Sequence, residues 1–131
     1  MEKARMPTLD EVLQSTSDVL FPAELGNRRV RVTSANADGD TPLHVMAWRK
    51  DPKAMALLIS AGADVNAVGD MGETPLHVAI AQRDEASIRM LLDAGARIDI
   101  RSEFDETPLE KAAATSDAIQ RLLRLQGPSP P

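Results

Sequence analysis

Thr41-Pro42-Leu43-His44 opens a stretch that returns twice: Thr74-Pro75-Leu76-His77 stands 33 residues on, and Thr107-Pro108-Leu109-Glu110 a further 33. Between these, Ala61-Gly62-Ala63-Asp64-Val65-Asn66 is echoed at the same offset by Ala94-Gly95-Ala96-Arg97-Ile98-Asp99. A fixed period of this length marks a stacked repeat, in which each unit is a turn plus two short helices. Such a unit cannot cover its apolar face alone and buries it against its neighbours.

Each motif reads as a helix start. Thr41 is placed to cap, and Pro42 to occupy the first helical position, where its missing N–H leaves nothing unpaired. Asp51-Pro52 repeats the device for a second helix that carries Leu57, Leu58 and Ile59 and ends at Gly62 in a left-handed cap. The next unit predicts helices over about 75–82 and 85–93, with Ile88, Leu91 and Leu92 inward. Gly39 and Gly72 fall where a tight turn needs positive φ, and Asp105 takes that place in the last unit. From Thr107 to Leu122-Leu123 the last unit is also about two residues shorter than its predecessor, measured from Thr74 to Leu91.

The recurring Thr-Pro-Leu-His and Gly-Ala-Asp-Val-Asn elements, at this spacing, resemble the ankyrin repeat family over about residues 34–125. The resemblance implies an all-α solenoid of stacked helix-turn-helix units with β-hairpin-like finger loops, and a role in binding other proteins. It also implies that His44 and His77 are structural hydrogen-bonders between neighbouring repeats. The expected layout is a flexible start at 1–6, a degenerate capping repeat at 7–33, and full repeats at 34–66 and 67–99. A shortened C-terminal capping repeat at 100–126 and a disordered Pro-rich tail at 127–131 complete it. Within 7–33, Thr8 and Glu11 form a capping box for a helix over 8–20, Pro22 opens a short turn, and Arg29-Val30-Arg31-Val32 alternates as an extended strand does. Lys111, Gln120, Arg121 and Arg124 are expected to face outward from the last unit.

Composition narrows the function. The 131 residues suit one domain, and a formal charge of −5 with Phe21, Trp48 and Phe104 as the only aromatics argues against nucleic-acid binding. No cysteine is present for a disulfide or thiolate. The start lacks a signal-peptide core and no apolar run reaches membrane-spanning length, so a cytoplasmic monomer off the membrane is expected. An excess of Arg over Lys points to a bacterial source.

Candidate chemistry is sparse. His44 and His77 are separated by roughly the 10 Å spacing of stacked helices, too far apart to share a metal. Asn36-x-Asp38-Gly39-Asp40 fails as a calcium loop, since Thr41 and Ala47 hold the places of its glycine and closing glutamate. No nucleophile stands with a base at recognisable spacing and no phosphate-binding glycine loop is present, so no enzyme activity, cofactor or metal is expected.

What remains is the face that the resemblance assigns to partner binding, the finger tips and the exposed edge of the inner helices. By register the candidates are Asp38, Asp40, Trp48 and Arg49, then Asp70, Met71, Glu73 and Gln82, then Glu103, Phe104 and Glu106. Seven carboxylates (with Asp105) and no Lys or Arg fall on the fingers, interleaved with Trp48, Met71 and Phe104. Apolar anchors ringed by charge suit a partner protein with a basic, partly apolar patch. The expected role is an adaptor or inhibitor; the alternative is an immunity-type or regulatory subunit that neutralises a co-produced enzyme. Arg28, Arg29, Arg31, Arg97 and Arg101 are read as guarding an edge strand against aggregation.

Overall fold

The structure is a computed structural model that describes residues 7–25 and 27–126, Gln126 by its backbone alone. The expected flexible start and Pro-rich tail lie outside the described residues. The regular elements are all helical: α1 (Leu9–Ser15), α2 (Ser17–Leu20), α3 (Pro42–Trp48), α4 (Pro52–Ser60), α5 (Pro75–Ala81), α6 (Glu85–Asp93), α7 (Pro108–Thr115) and α8 (Asp117–Gln126). From α3 onward they pair as α3 on α4, α5 on α6 and α7 on α8. The pairs stack, so that α3, α5 and α7 form an inner row and α4, α6 and α8 an outer one.

The helix starts follow from side-chain chemistry. At Thr41, Thr74 and Thr107 the hydroxyl accepts the backbone N–H three residues on, and that residue's side chain accepts the threonine N–H in return. This is a capping box with histidine, histidine and glutamate in the reciprocal role. Asp51 caps α4 by accepting the Ala54 N–H at 3.1 Å. Gly62 and Gly95 close α4 and α6 at φ 101° and 95°, where any side chain would strain the backbone.

Burial follows the repeat. Leu43, Leu58, Leu76, Ile80, Ile88, Leu91 and Leu123 are fully buried between the rows or between neighbouring units. Each such side chain removed from water contributes roughly 1.5–3 kcal/mol. Leu57 and Ile59 are only half-buried, and Ala54 and Met55 share the inward face of α4 with Leu58. In the last unit only Ser116 separates α7 from α8, against Arg49–Asp51 and Gln82–Asp84 in the units before, which is the expected shortening of two residues.

The fingers are tight turns. Asn36 N–H donates to Asp40 O, Gly69 N–H to Glu73 O and Ser102 N–H to Glu106 O, at 2.9 to 3.0 Å. Inside each turn a second bond closes from the residue three positions on, Gly39, Gly72 or Asp105, at φ 91°, 70° and 59°. Aspartate tolerates the left-handed region better than most side chains, which explains its place in the last finger. Met71, at φ 59°, sits there too, so the second finger turns differently from its neighbours. No strand occurs among the described residues.

The N-terminal segment departs from the register. The expected helix over 8–20 is broken at Thr16, a buried residue whose hydroxyl donates to Leu13 O at 2.6 Å. Ser15 likewise bonds back to Val12 O, and such local side-chain bonds bend or end helices, while the Ser17 hydroxyl donates to Arg28 O eleven residues on. The capping box of Thr8 and Glu11 is present. Yet α1 rests on the outer helix α4, whereas the 33-residue offset from Thr41 predicts an inner position. The Arg29–Val32 run also forms no strand: Val30 is buried, and Arg28 pairs with Glu24 at 3.1 Å while its guanidinium lies 4.4 Å over the Phe21 ring.

Candidate partner-binding face

The capping motifs place the imidazoles at the joints between units. Thr41 N–H donates to His44 Nδ1 at 3.1 Å, and His44 Nε2 lies 3.0 Å from Glu73 O on the next finger. Thr74 N–H donates to His77 Nδ1 at 3.0 Å, and His77 Nε2 lies 2.9 Å from Glu106 O. An Nδ1 that accepts leaves the proton on Nε2, so each ring is neutral and bonds at both nitrogens. Burial pushes both pKa values below the ordinary 6.5; bonds to backbone carbonyls and nearby carboxylates pull the other way without prevailing. In the last unit Glu110 completes the capping box alone and pairs with Arg101 at 3.1 Å.

These joints, with two further bonds, hold the fingers side by side. Asp70 N–H donates to Asp40 Oδ1 at 2.9 Å, and Glu103 N–H to Met71 O at 2.9 Å. Gly69 makes the first approach possible: a Cβ there would collide with the Asp40 carboxylate and lie 2.9 Å from His44 Nε2.

Against this rigid edge, Trp48, Met71 and Phe104 remain 62%, 50% and 63% exposed. Trp48 and Met71 line one cleft of about 270 Å³ together with Asp40, Asp70 and Glu73. Phe104 and Glu103 stand one finger further along, while Asp38 and Glu106 flank the turns. Gln82 caps the end of α5 and is half-buried. Arg49 turns back to α1, donating to Ser15 Oγ and O at 3.1 and 3.2 Å, so its guanidinium is engaged in holding that helix.

The fingers are less acidic in space than in sequence. Lys111, expected to face outward, instead reaches between the second and third fingers, 3.2 Å from Glu73 and 3.9 Å from Glu106, with only 19% of its side chain exposed. Its stem starts on the inner helix α7, whose exposed edge faces the fingers, so the pairing follows from the row it belongs to. Arg101 likewise pairs with Asp105 at 3.4 Å. Of the finger carboxylates, Asp38, Asp40, Asp70 and Glu103 are left without an ion pair among the described residues.

Sequence reasoning missed the cleft's apolar walls. Val45 and Val78, one repeat apart on α3 and α5, both line it, and the register alone marks them as equivalent. Val19 and Leu20 of α2 also line it, and no local signal places them there. Among the described residues no group of three or more His, Asp or Glu is arranged to hold a metal ion, and no helix is long and apolar enough to cross a membrane.

A stack of helix pairs tied at buried histidine joints, presenting linked turns along one edge, defines a helical-repeat protein. A family model of ankyrin repeats, in three copies, matches residues 19–102, more than half of the chain. The protein belongs to the ankyrin repeat family, whose repeats serve generally as non-catalytic protein-interaction modules. No curated protein matches the chain.

Proposed function

We propose that this protein binds a partner protein through its concave face and finger tips, acting as an adaptor or inhibitor by occupying the partner's surface. The observation that carries the reading is the exposure of Trp48 and Met71 around one cleft, with Phe104 exposed on the adjoining finger. Large exposed apolar side chains gathered on one edge mark interaction surfaces more often than chance solvent contact. Asp38, Asp70 and Glu103 supply unpaired negative charge beside these anchors, which favours a partner patch that is basic as well as apolar and speeds its encounter. The reading takes the protein as a cytoplasmic monomer, with 7–33 and 100–126 as the capping units of two full repeats.

Photo-crosslinking in the cell tests it. A benzoylphenylalanine at Met71 should capture a partner, one at Arg89 on the outer helix α6 should not, and Trp48→Ala should abolish the first capture. Capture from position 89 alone would place the interface on the convex side and overturn the reading.

A further inference from the structure

We infer that the cleft between α2, α3 and the second finger receives one aliphatic or aromatic side chain of a peptide segment, with Arg or Lys beside it. This deepens the binding reading above and rests on it.

Three observations choose this occupant. The first is shape. A groove along stacked inner helices would be lined by those helices and the fingers alone, but here Val19 and Leu20 of α2 line it as well. The opening is therefore a cup whose apolar lining comes from Val19, Leu20, Val45, Val78, Trp48 and Met71. The second is size. At about 270 Å³ it falls below the about 300–1,000 Å³ of sites that enclose drug-sized molecules. It suits a single large side chain, and the flat approach of a folded surface would leave it unfilled.

The third is charge. The cup's rim carries Asp70, whose carboxylate has no ion pair, and Asp40, whose second oxygen remains open after Oδ1 accepts the Asp70 N–H. Asp38 lies two residues away on the first finger, also unpaired. Glu73 is already held by Lys111, so the free negative charge is concentrated on the first two fingers beside the cup. A guanidinium or ammonium one residue either side of the inserted side chain meets these carboxylates. An acidic neighbour would be repelled by them.

Trp48 is the sole tryptophan, so its emission reports the cup directly. The full chain is titrated with short capped peptides having Leu, Phe or Ala at the centre and Arg, Gln or Glu on both sides. The expected result is a saturable blue shift with Arg-Leu-Arg or Arg-Phe-Arg peptides, and about tenfold or greater weakening when the centre is Ala or the flanks are Glu. Val19→Arg, at a half-exposed wall position, should block the cup and remove the response, with circular dichroism unchanged. Asp70→Asn should weaken the Arg-flanked peptides and leave the Gln-flanked ones nearly unaffected.

No saturable shift with any peptide overturns the inference, as does an equal shift with all of them. A blue shift that grows with protein concentration in the absence of peptide overturns it as well, by making a second copy of the chain the occupant. If crosslinking from Met71 still captures a partner while no peptide binds, the broader binding reading stands and the side-chain cup alone falls.

Discussion

His44 and His77 each join three pieces of backbone: their own helix start, the threonine that caps it, and a carbonyl 29 residues ahead. Protonation would place an N–H on Nδ1 facing the threonine N–H, so the folded state resists it. Burial acts in the same direction and holds both pKa values below 6.5. Above pH about 6.5 both rings are neutral folded or unfolded, and their contribution is fully present. As pH falls through that value the unfolded chain binds protons the folded one refuses, and stability declines until the lower folded pKa is passed. The urea midpoint should therefore drop below pH about 6.5 in the wild type, and less steeply in His44→Gln/His77→Gln. Parallel curves would assign the acid sensitivity to other groups. His77→Gln alone keeps a capping-box acceptor but cannot reach Glu106 O, and should cost about 0.5–1.5 kcal/mol at neutral pH by removing one of the two hydrogen bonds that carbonyl accepts, the Ser102 N–H remaining. The capping half of this arrangement was legible in the sequence because it spans three residues. The reach to the next finger was visible only through the resemblance, since nothing local announces a partner 29 residues distant.

At the scale of elements, the fingers show which side of a repeat the sequence hides. Their turns were readable from Gly39, Gly72 and Asp105, but what ties one finger to the next was not. Gly69 looks like an ordinary loop glycine, yet a side chain there would meet the Asp40 carboxylate and the His44 ring. Gly69→Ala should destabilise the protein by about 1–3 kcal/mol, as overpacking does, and should also move the Trp48 emission by displacing the second finger. An unchanged urea midpoint would mean the fingers yield without cost. Lys111 is the other hidden tie, misread because its nearer partner, Glu73, lies 38 residues away in the chain. Its side chain and that of Glu73 are only about one-fifth exposed, so the pair lies between surface and buried regimes. Lys111→Ala should cost about 1–2 kcal/mol by leaving Glu73 and Glu106 facing each other. Lys111→Met with Glu73→Gln should recover most of that loss in a double-mutant cycle. Recovery absent from the cycle would show that the lysine stem, and not its charge, supports the fingers. The hydroxyl run Ser15-Thr16-Ser17 is a third case: each residue is compatible with a helix, and in the fold all three hydroxyls donate to backbone carbonyls where α1 gives way to α2.

Across the whole molecule the helices touch only their neighbours in the stack, so stability is shared unevenly along it. Helix α5 packs against α3, α6 and α7, and α6 against α4, α5 and α8, so both are covered on two sides. Helix α1 rests mainly on α4 and α2, and α8 on α6 and α7, with no further helix pair stacked against it among the described residues. Opening an end costs one interface between units; opening the middle costs two. Native-state hydrogen exchange should therefore show the slowest amides in α5 and α6 and progressively faster exchange through α7 to α8 and through α3 to α1. Leu91→Ala, deleting a fully buried side chain in the central unit, should cost about 2–5 kcal/mol and accelerate exchange over the whole stack. Truncating Val12, buried beneath α1, should accelerate exchange at that end and leave α6 nearly unchanged. Uniform acceleration by both variants would mean that the stack opens only as a whole. The gradient bears on binding as well. Helix α2 walls the cleft from the less protected end, while Met71 and Val78 belong to the most protected unit. A ligand seated between them would couple the two, so its binding should slow exchange in α2 more than in α5, where little opening remains to be suppressed.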